Sequence, residues 1–226
     1  ELMLANSQWV NRPEDERYRS LDDYRAACDT DRATCEERTV RVGDVRAVVL
    51  GDGGIGLQGT RSAARLNHYS FGQYAASVGA PTGYLRSLPA PLAVECLGVG
   101  ADKLQESQKR ERHKLYLQRP AAGEDVGTIR AVTGDGYSRV YDSGIAEVGL
   151  RMRDAGYDLP LDWAGRQAGA YRGDRDSFLF LTNGGSVVSD PTLRSSMSSA
   201  GGGSDAMYRG IILRNSEVGF AALELL

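Results

Sequence analysis

A chain of 226 residues with 41% hydrophobic and 25% charged content has material for one large domain or two small ones, which excludes a disordered chain. A net charge of −3 excludes a globally basic nucleic-acid binder, so any such binding rests on a local patch. Three cysteines (Cys28, Cys35, Cys96) without a CxxC, beside only His68 and His113, point to a reducing compartment without structural zinc or a disulfide framework.

Glycine stands out at 28 of 226 residues, about 12% against the usual ~7%, and favours strands joined by many turns. No apolar run approaches the ~20 residues of a membrane span and no signal peptide is visible, so a cytoplasmic protein without membrane contact is expected. The chain opens at Glu1 without Met and closes at Leu225-Leu226 inside an apolar segment, which suggests a longer parent protein.

The opening stretch reads as a short helix ending before Pro13, which restricts the residue preceding it. Ser20 with Asp23 three residues on has the spacing of a capping box before a helix over "LDDYRAACDTDRATCEER", whose apolar face carries Leu21, Tyr24 and Cys28. Residues 1–38 thus form a helical segment and 39–226 a sheet-containing core.

"TVRVGDVRAVVL" reads as strand, bend at Gly43-Asp44, strand. The glycine-rich "GDGGIGLQG" follows, then a helix begun near Ser70 and stopped at Gly79, and short helical pieces broken by Pro89 and Pro91. "HKLYLQRPAAGEDVGTIRAVTG" predicts two strands about the turn Pro120 to Gly127. "YDSGIAEVGLRMRDAG" predicts a helix with Ile145, Val148 and Met152 on one face and Gly156 as its stop.

"DSFLFLTN" and "YRGIILRN" predict two further strands, separated by a polar, small-residue stretch at 184–205 that reads as a long mobile loop. Without a repeat or a linker, the expectation is a single α+β domain. Its sheet is mixed and mainly antiparallel, with helices packed on one side.

Gly51 to Gly56 satisfies G-x-G-x-x-G after a strand, yet the ribose-binding acid due about 20 residues on is missing, since the next acid after Asp52 is Glu95. Thr60-Arg61 stands where a phosphate loop needs Lys-Ser/Thr. A glycine hairpin turn is the better reading.

The one basic stretch carries Lys103, Lys109, Arg110, Arg112, Lys114 and Arg119, with Tyr116 on the adjoining strand. Such cations pair with phosphates and such a ring stacks on a base in single-strand binders, while a plain solvated segment has the same composition. Asp174 and Asp176 lie two apart before a strand, a spacing that sends both carboxylates to one side of extended backbone. With Glu217 they form a candidate Mg²⁺ site, with Arg139 or Arg175 available to phosphate. An ion-pair network with Arg175 and Arg214, or a tight Gly-Asp turn, is the alternative. Ser216 lacks a base for nucleophilic chemistry.

Five blocks, "QWVNRPEDERYRSLDDY", "YSFGQYAASVGAPTGYLRSLPAPLAVECL", "TIRAVTGDGYSRVYDSGI", "YRGDRDSFLFL" and "YRGIILRNSEVGFAAL", resemble in order and spacing a family of uncharacterised proteins carried by phages and plasmids. Gly-Asp-Arg-Asp and Arg-Asn-Ser-Glu-Val-Gly are its specific motifs, and relative to that family the chain looks truncated. The resemblance implies a mobile-element context without an established activity. It makes the polar break Asn215-Ser216-Glu217 in an apolar run a feature of the family, with Gly219 suited to a strand bulge that re-aims the chain.

Three functions remain open at this point. One is a mobile-element accessory that binds single-stranded DNA in recombination or replication, often as an oligomer. Another is a metal-dependent enzyme acting on nucleotides or nucleic acid. The third is a non-catalytic phage protein that blocks a host protein or belongs to the virion.

Overall fold

The computed structural model describes residues 12–59, 63–162, 165–188 and 207–226. Along the chain run β1 (Arg17–Tyr18), α1 (Leu21–Thr34), β2 (Cys35–Arg41), β3 (Arg46–Val49), β4 (Ile55–Gln58), β5 (Ala64–Leu66), α2 (His68–Ser77), α3 (Thr82–Leu85), α4 (Ala90–Lys103) and α5 (Glu106–Lys109). They are followed by β6 (Arg112–Gln118), β7 (Thr128–Gly134), α6 (Asp142–Asp154), β8 (Tyr157–Asp158), β9 (Ala170–Arg172), β10 (Ser177–Val188), β11 (Met207–Asn215) and β12 (Glu224–Leu225). The class is α+β. The helix expected before Pro13 and residues 189–205 of the expected loop lie outside the described residues, whereas residues 184–188 of that loop belong to β10, which runs on to Val188.

Local chemistry explains most starts and stops. The Asp23 amide donates to Ser20 Oγ at 3.0 Å and the Ser20 hydroxyl donates to Asp23 Oδ2 at 2.7 Å, which satisfies orphan groups of the first turn of α1. Asn67 caps α2 by accepting from the Ser70 amide at 2.8 Å. Pro89 and Pro91, expected to break a helix, instead begin α4, because amides of the first turn have no intrahelical partner to lose.

Two elements differ from expectation for tertiary reasons. α1 ends at Thr34 rather than near Arg38, because residues from Cys35 onward are taken up as a strand against β6. On α6, Ile145 is buried but Val148 stays exposed, and Ala146 and Gly149 complete the inner face.

The described residues form two compact units. One comprises those of Glu1–Asp29, Val140–Ser216 and Ala221–Leu226, the other Thr30–Arg139 and Glu217–Phe220. The sequence reads as one undivided domain because the chain passes between units four times without a linker.

In the first unit an antiparallel sheet has the order β1-β9-β10-β11-β12, with β8 also pairing β10. Leu21, Tyr24 and Cys28 of α1 and Ile145 and Ala146 of α6 pack on Ala170, Leu179, Leu181 and Leu213.

In the second unit the order is β2-β6-β7-β5-β4-β3, antiparallel except for the parallel pair β5–β7. α2 and α4 cover one face, placing Phe71, Tyr74 and Leu97 against Leu57, Leu115, Ile129 and Val132. The glycine-rich segment is the β3–β4 hairpin turn, closed by the Leu50 amide on the Gly54 carbonyl at 2.8 Å.

The edge strands β2 and β3 are joined only by a 3₁₀ turn at Val42–Asp44. Five residue steps reach at most ~18 Å, whereas the edges of a flat six-stranded sheet lie about 24 Å apart. The sheet therefore curls toward a barrel, and its two edges face each other across a seam. Gly59, one step beyond the Arg46–Gln58 pair of the β3–β4 hairpin, has φ 103°, and a Cβ there would press into the Asp44 carbonyl oxygen.

Gly59→Ala combines a left-handed backbone with this clash and is expected to destabilise the protein by about 1–3 kcal/mol. Chemical denaturation of the variant against the parent measures it, and an unchanged midpoint would refute the close approach of Gly59 to Asp44.

Candidate functional site

The Gly-Asp-Arg-Asp motif is the turn between β9 and β10, bridged by the Gly173 amide donating to the Asp176 carbonyl at 3.0 Å. Asp174 is exposed at its tip. Asp176 is buried; it accepts from Arg12 Nη2 at 2.8 Å and from the Tyr171 hydroxyl at 3.3 Å, and lies 3.7 Å from Arg214 Nη2 and 3.9 Å from Arg175 Nε. Arg12 lies over the Tyr171 ring at 4.3 Å. Burial and then the Asp176 charge push the Tyr171 phenol up to about 12. The ion-pair alternative describes this turn.

Asn215 ends β11, and its amide donates to Asp142 Oδ1 at 2.7 Å and to the Val140 carbonyl at 2.9 Å. Asp142, 3% exposed in the first turn of α6, also accepts from Ser177 Oγ at 2.6 Å and from Arg172 Nε at 3.1 Å. The negative charge sits at the favourable end of the helix dipole. Ser216 Oγ donates to the Arg175 carbonyl at 2.7 Å, which ties the end of β11 to the Gly-Asp-Arg-Asp turn.

Within the second unit, Glu217 is 4% exposed. It accepts from the Tyr116 hydroxyl at 3.3 Å and from Arg130 Nη1 at 3.5 Å, and Arg130 also reaches Asp31 at 3.2 Å. Arg130 is the extra residue of a β-bulge: Tyr116 pairs with Ala131 while Leu117 pairs with Ile129. A bulge re-aims a side chain, and here it turns an arginine out of an apolar strand onto a buried carboxylate. The bulge expected at Gly219 is absent; the strand has ended, and Gly219 with φ 80° lies in the turn after it.

Tyr116 has 0% exposure, so its ring is closed to a nucleic-acid base. The Arg139 guanidinium covers it at 4.2 Å, with Arg139 Nε donating to Glu37 Oε2 at 3.2 Å. Burial and then the Glu217 charge push the Tyr116 phenol far up. Lys114 is also spent internally, donating to the Tyr137 carbonyl at 2.9 Å and lying 3.6 Å from Glu37.

The rest of the basic segment is at the surface. Lys103 ends α4, Lys109 pairs with Glu106 at 3.2 Å, and Arg110 and Arg119 are exposed. Arg112 at the start of β6 faces Arg41 across the β2–β6 pair. Both line a cleft of ≈ 610 Å³ with Arg38, Thr39, Val40, Asp44 and Gly59.

Arg38 pairs with Glu36, and Arg112 lies 3.7 Å from Asp135. Arg41 has no ion pair or side-chain hydrogen bond among the described residues. Like charges directly opposite each other on a sheet are destabilising, and Arg41 and Arg112 form such a pair with both side chains exposed.

Among the described residues no group of three or more His, Cys, Asp and Glu side chains is placed to hold a metal ion. Asp174 is at an exposed turn, Asp176 faces arginines, and Glu217 belongs to the second unit. No described helix is long and apolar enough to cross a membrane. No protein-family model, curated protein or solved structure matches the chain.

Sequence reasoning missed Arg38, Arg41, Arg130 and Asp142. A lone arginine in the apolar run "TIRAV" was the available signal for Arg130. Arg41 gains meaning only from the strand that pairs with it.

Arg130→Met leaves Glu217 buried without its cation and is expected to cost about 3–5 kcal/mol. Arg130→Met with Glu217→Leu should recover much of it, as read by denaturant unfolding; a double variant as unstable as the single one contradicts the pairing.

Burial lowers the His113 pKa below its usual 6.5, against the opposing charges of Glu111 and Asp135. The unfolded chain therefore takes up this proton first, so the His113 contribution is fully present above about pH 6.5 and falls as the pH drops below it. Melting temperatures between pH 5 and 7 should lose part of their slope in His113→Phe, and an identical slope would refute the shift.

Proposed function

We propose that this protein binds single-stranded nucleic acid, DNA foremost, through its phosphates, as an accessory factor of phage or plasmid recombination or replication. The arginine-lined cleft carries the reading: Arg41 and Arg112 are held face to face at the seam of a curled sheet, with Arg38 beside them. A phosphodiester backbone supplies the anion that relieves this repulsion. The mobile-element context rests on the resemblance of the five sequence blocks.

The closed position of Tyr116 removes the ring expected to stack on a base, so contact is electrostatic and tolerant of sequence. A duplex is stiff over about 150 base pairs and does not bend its backbone into a cleft of this size, whereas a single strand follows the seam. The surrounding chain is acidic, which confines binding to this one edge and makes it weak at physiological salt.

Fluorescence anisotropy with labelled single- and double-stranded oligonucleotides across a salt series tests the reading. Three phosphate contacts give a slope of log K against log salt of about −2, at ~0.7 per contact for single strands. Arg41→Ala and Arg112→Ala should each weaken binding several-fold at low salt and flatten the slope by about 0.7, while Lys103→Ala on α4 leaves both unchanged. Absence of binding at low salt, or equal binding by all three variants, would refute it.

A further inference from the structure

We infer that two copies of this chain associate through β2, edge to edge and antiparallel, to continue the sheet of the second unit across a two-fold axis at Thr39. Among the described residues β2 pairs on one side, with β6, and Glu36, Glu37, Thr39 and Arg41 along it are exposed. Its free edge carries a known set of backbone groups. The Val42 amide donates to Glu111 and the Arg119 amide to Thr34, which makes 42:111 and 34:119 hydrogen-bonded pairs of the antiparallel ladder. Alternation then turns the even residues 36, 38 and 40 toward β6 and leaves the amides and carbonyls of Glu37, Thr39 and Arg41 pointing outward.

A second copy of the same strand complements this edge in one register better than in its neighbours. With Thr39 opposite Thr39 of the second copy, Glu37, which already meets Arg139 and Lys114 within its own chain, also faces Arg41 of the other chain on both sides of the axis, and all three outward residues meet outward partners. Opposite charges and paired threonines across strands are both favourable. Shifting the axis to Arg38 sets Arg38 against itself, a like-charge pair, and shifting it to Val40 sets Glu37 opposite Gly43 and Arg41 opposite Thr39, so the opposite-charge pairs are lost. The charges that deter random edge pairing thus select this one.

Arg41, which has no ion pair among the described residues, gains one in the second copy. The association does not depend on nucleic-acid binding, but the two draw on the same arginine, so an oligonucleotide in the cleft displaces the second copy.

Sedimentation velocity of the full chain over a concentration series at low salt tests this. A monomer–dimer equilibrium is expected, weakening as salt rises. Thr39→Pro removes an amide that points away from β6, and Arg41→Glu turns the Glu37 pairing repulsive. Each should raise the dimer dissociation constant at least ten-fold while circular dichroism and melting remain those of the parent, and Lys103→Ala should leave the dimer intact. A monomer at every concentration overturns the inference. So does a dimer that Thr39→Pro and Arg41→Glu leave unchanged, or a monomer whose β2 edge instead binds an added acidic peptide.

Discussion

Three carboxylates of this protein, Asp142, Asp176 and Glu217, are each less than 5% exposed, and a buried charge is tolerated only where cations and hydrogen-bond donors replace the water it has lost. Each has an arginine: Arg172 for Asp142, Arg12 with Arg214 for Asp176, and Arg130 for Glu217. Much of the local architecture serves these pairs. The start of α6 holds Asp142, the β9–β10 turn holds Asp176, and the β7 bulge exists to bring Arg130 round. The polar break Asn215-Ser216-Glu217 is the chain's exit from β11, and each of its three side chains has a hydrogen-bond partner within the fold.

The second constraint is the shortness of the connection between β2 and β3. A few residues cannot span a flat sheet of six strands, so the sheet curls, and the curl creates a seam with an open strand edge on one side. At that edge Arg41 and Arg112, both exposed, face one another across the β2–β6 pair. The cleft and its arginine pair are consequences of chain length as much as of residue type.

The two functional readings follow from the same edge. An edge strand presents backbone amides and carbonyls, and this one adds alternating charge. In these proposals a phosphate would engage the side chains alone, whereas a second copy would engage side chains and backbone together. The closure of Tyr116 by Arg139 shows why a basic segment read along the sequence is a poor guide to a binding surface: alternate residues of β6 face opposite sides, and within one side Arg112 is exposed while Tyr116 is sealed.

Much of the fold was legible in the residues themselves. The Ser20 cap, the Asn67-led helix, the glycine hairpin after β3, the hairpin around Pro120 to Gly127 and the strands β10 and β11 depend on neighbours within a few positions, and local spacing records such contacts. The division into two units was not legible, because the chain passes between them inside regular elements and turns without a change of composition. Nor was the site. Whether a charged residue is a free cation, such as Arg41, or an internal partner, such as Lys114, Arg130 or Arg139, depends on strand order, on a one-residue bulge and on burial. By itself the sequence determined the helices, hairpins and turns, because those obey short-range hydrogen bonding and periodicity. Only the tertiary structure decided which charges are paired and which stay exposed, because desolvation and ion pairing are set by residues a hundred positions away.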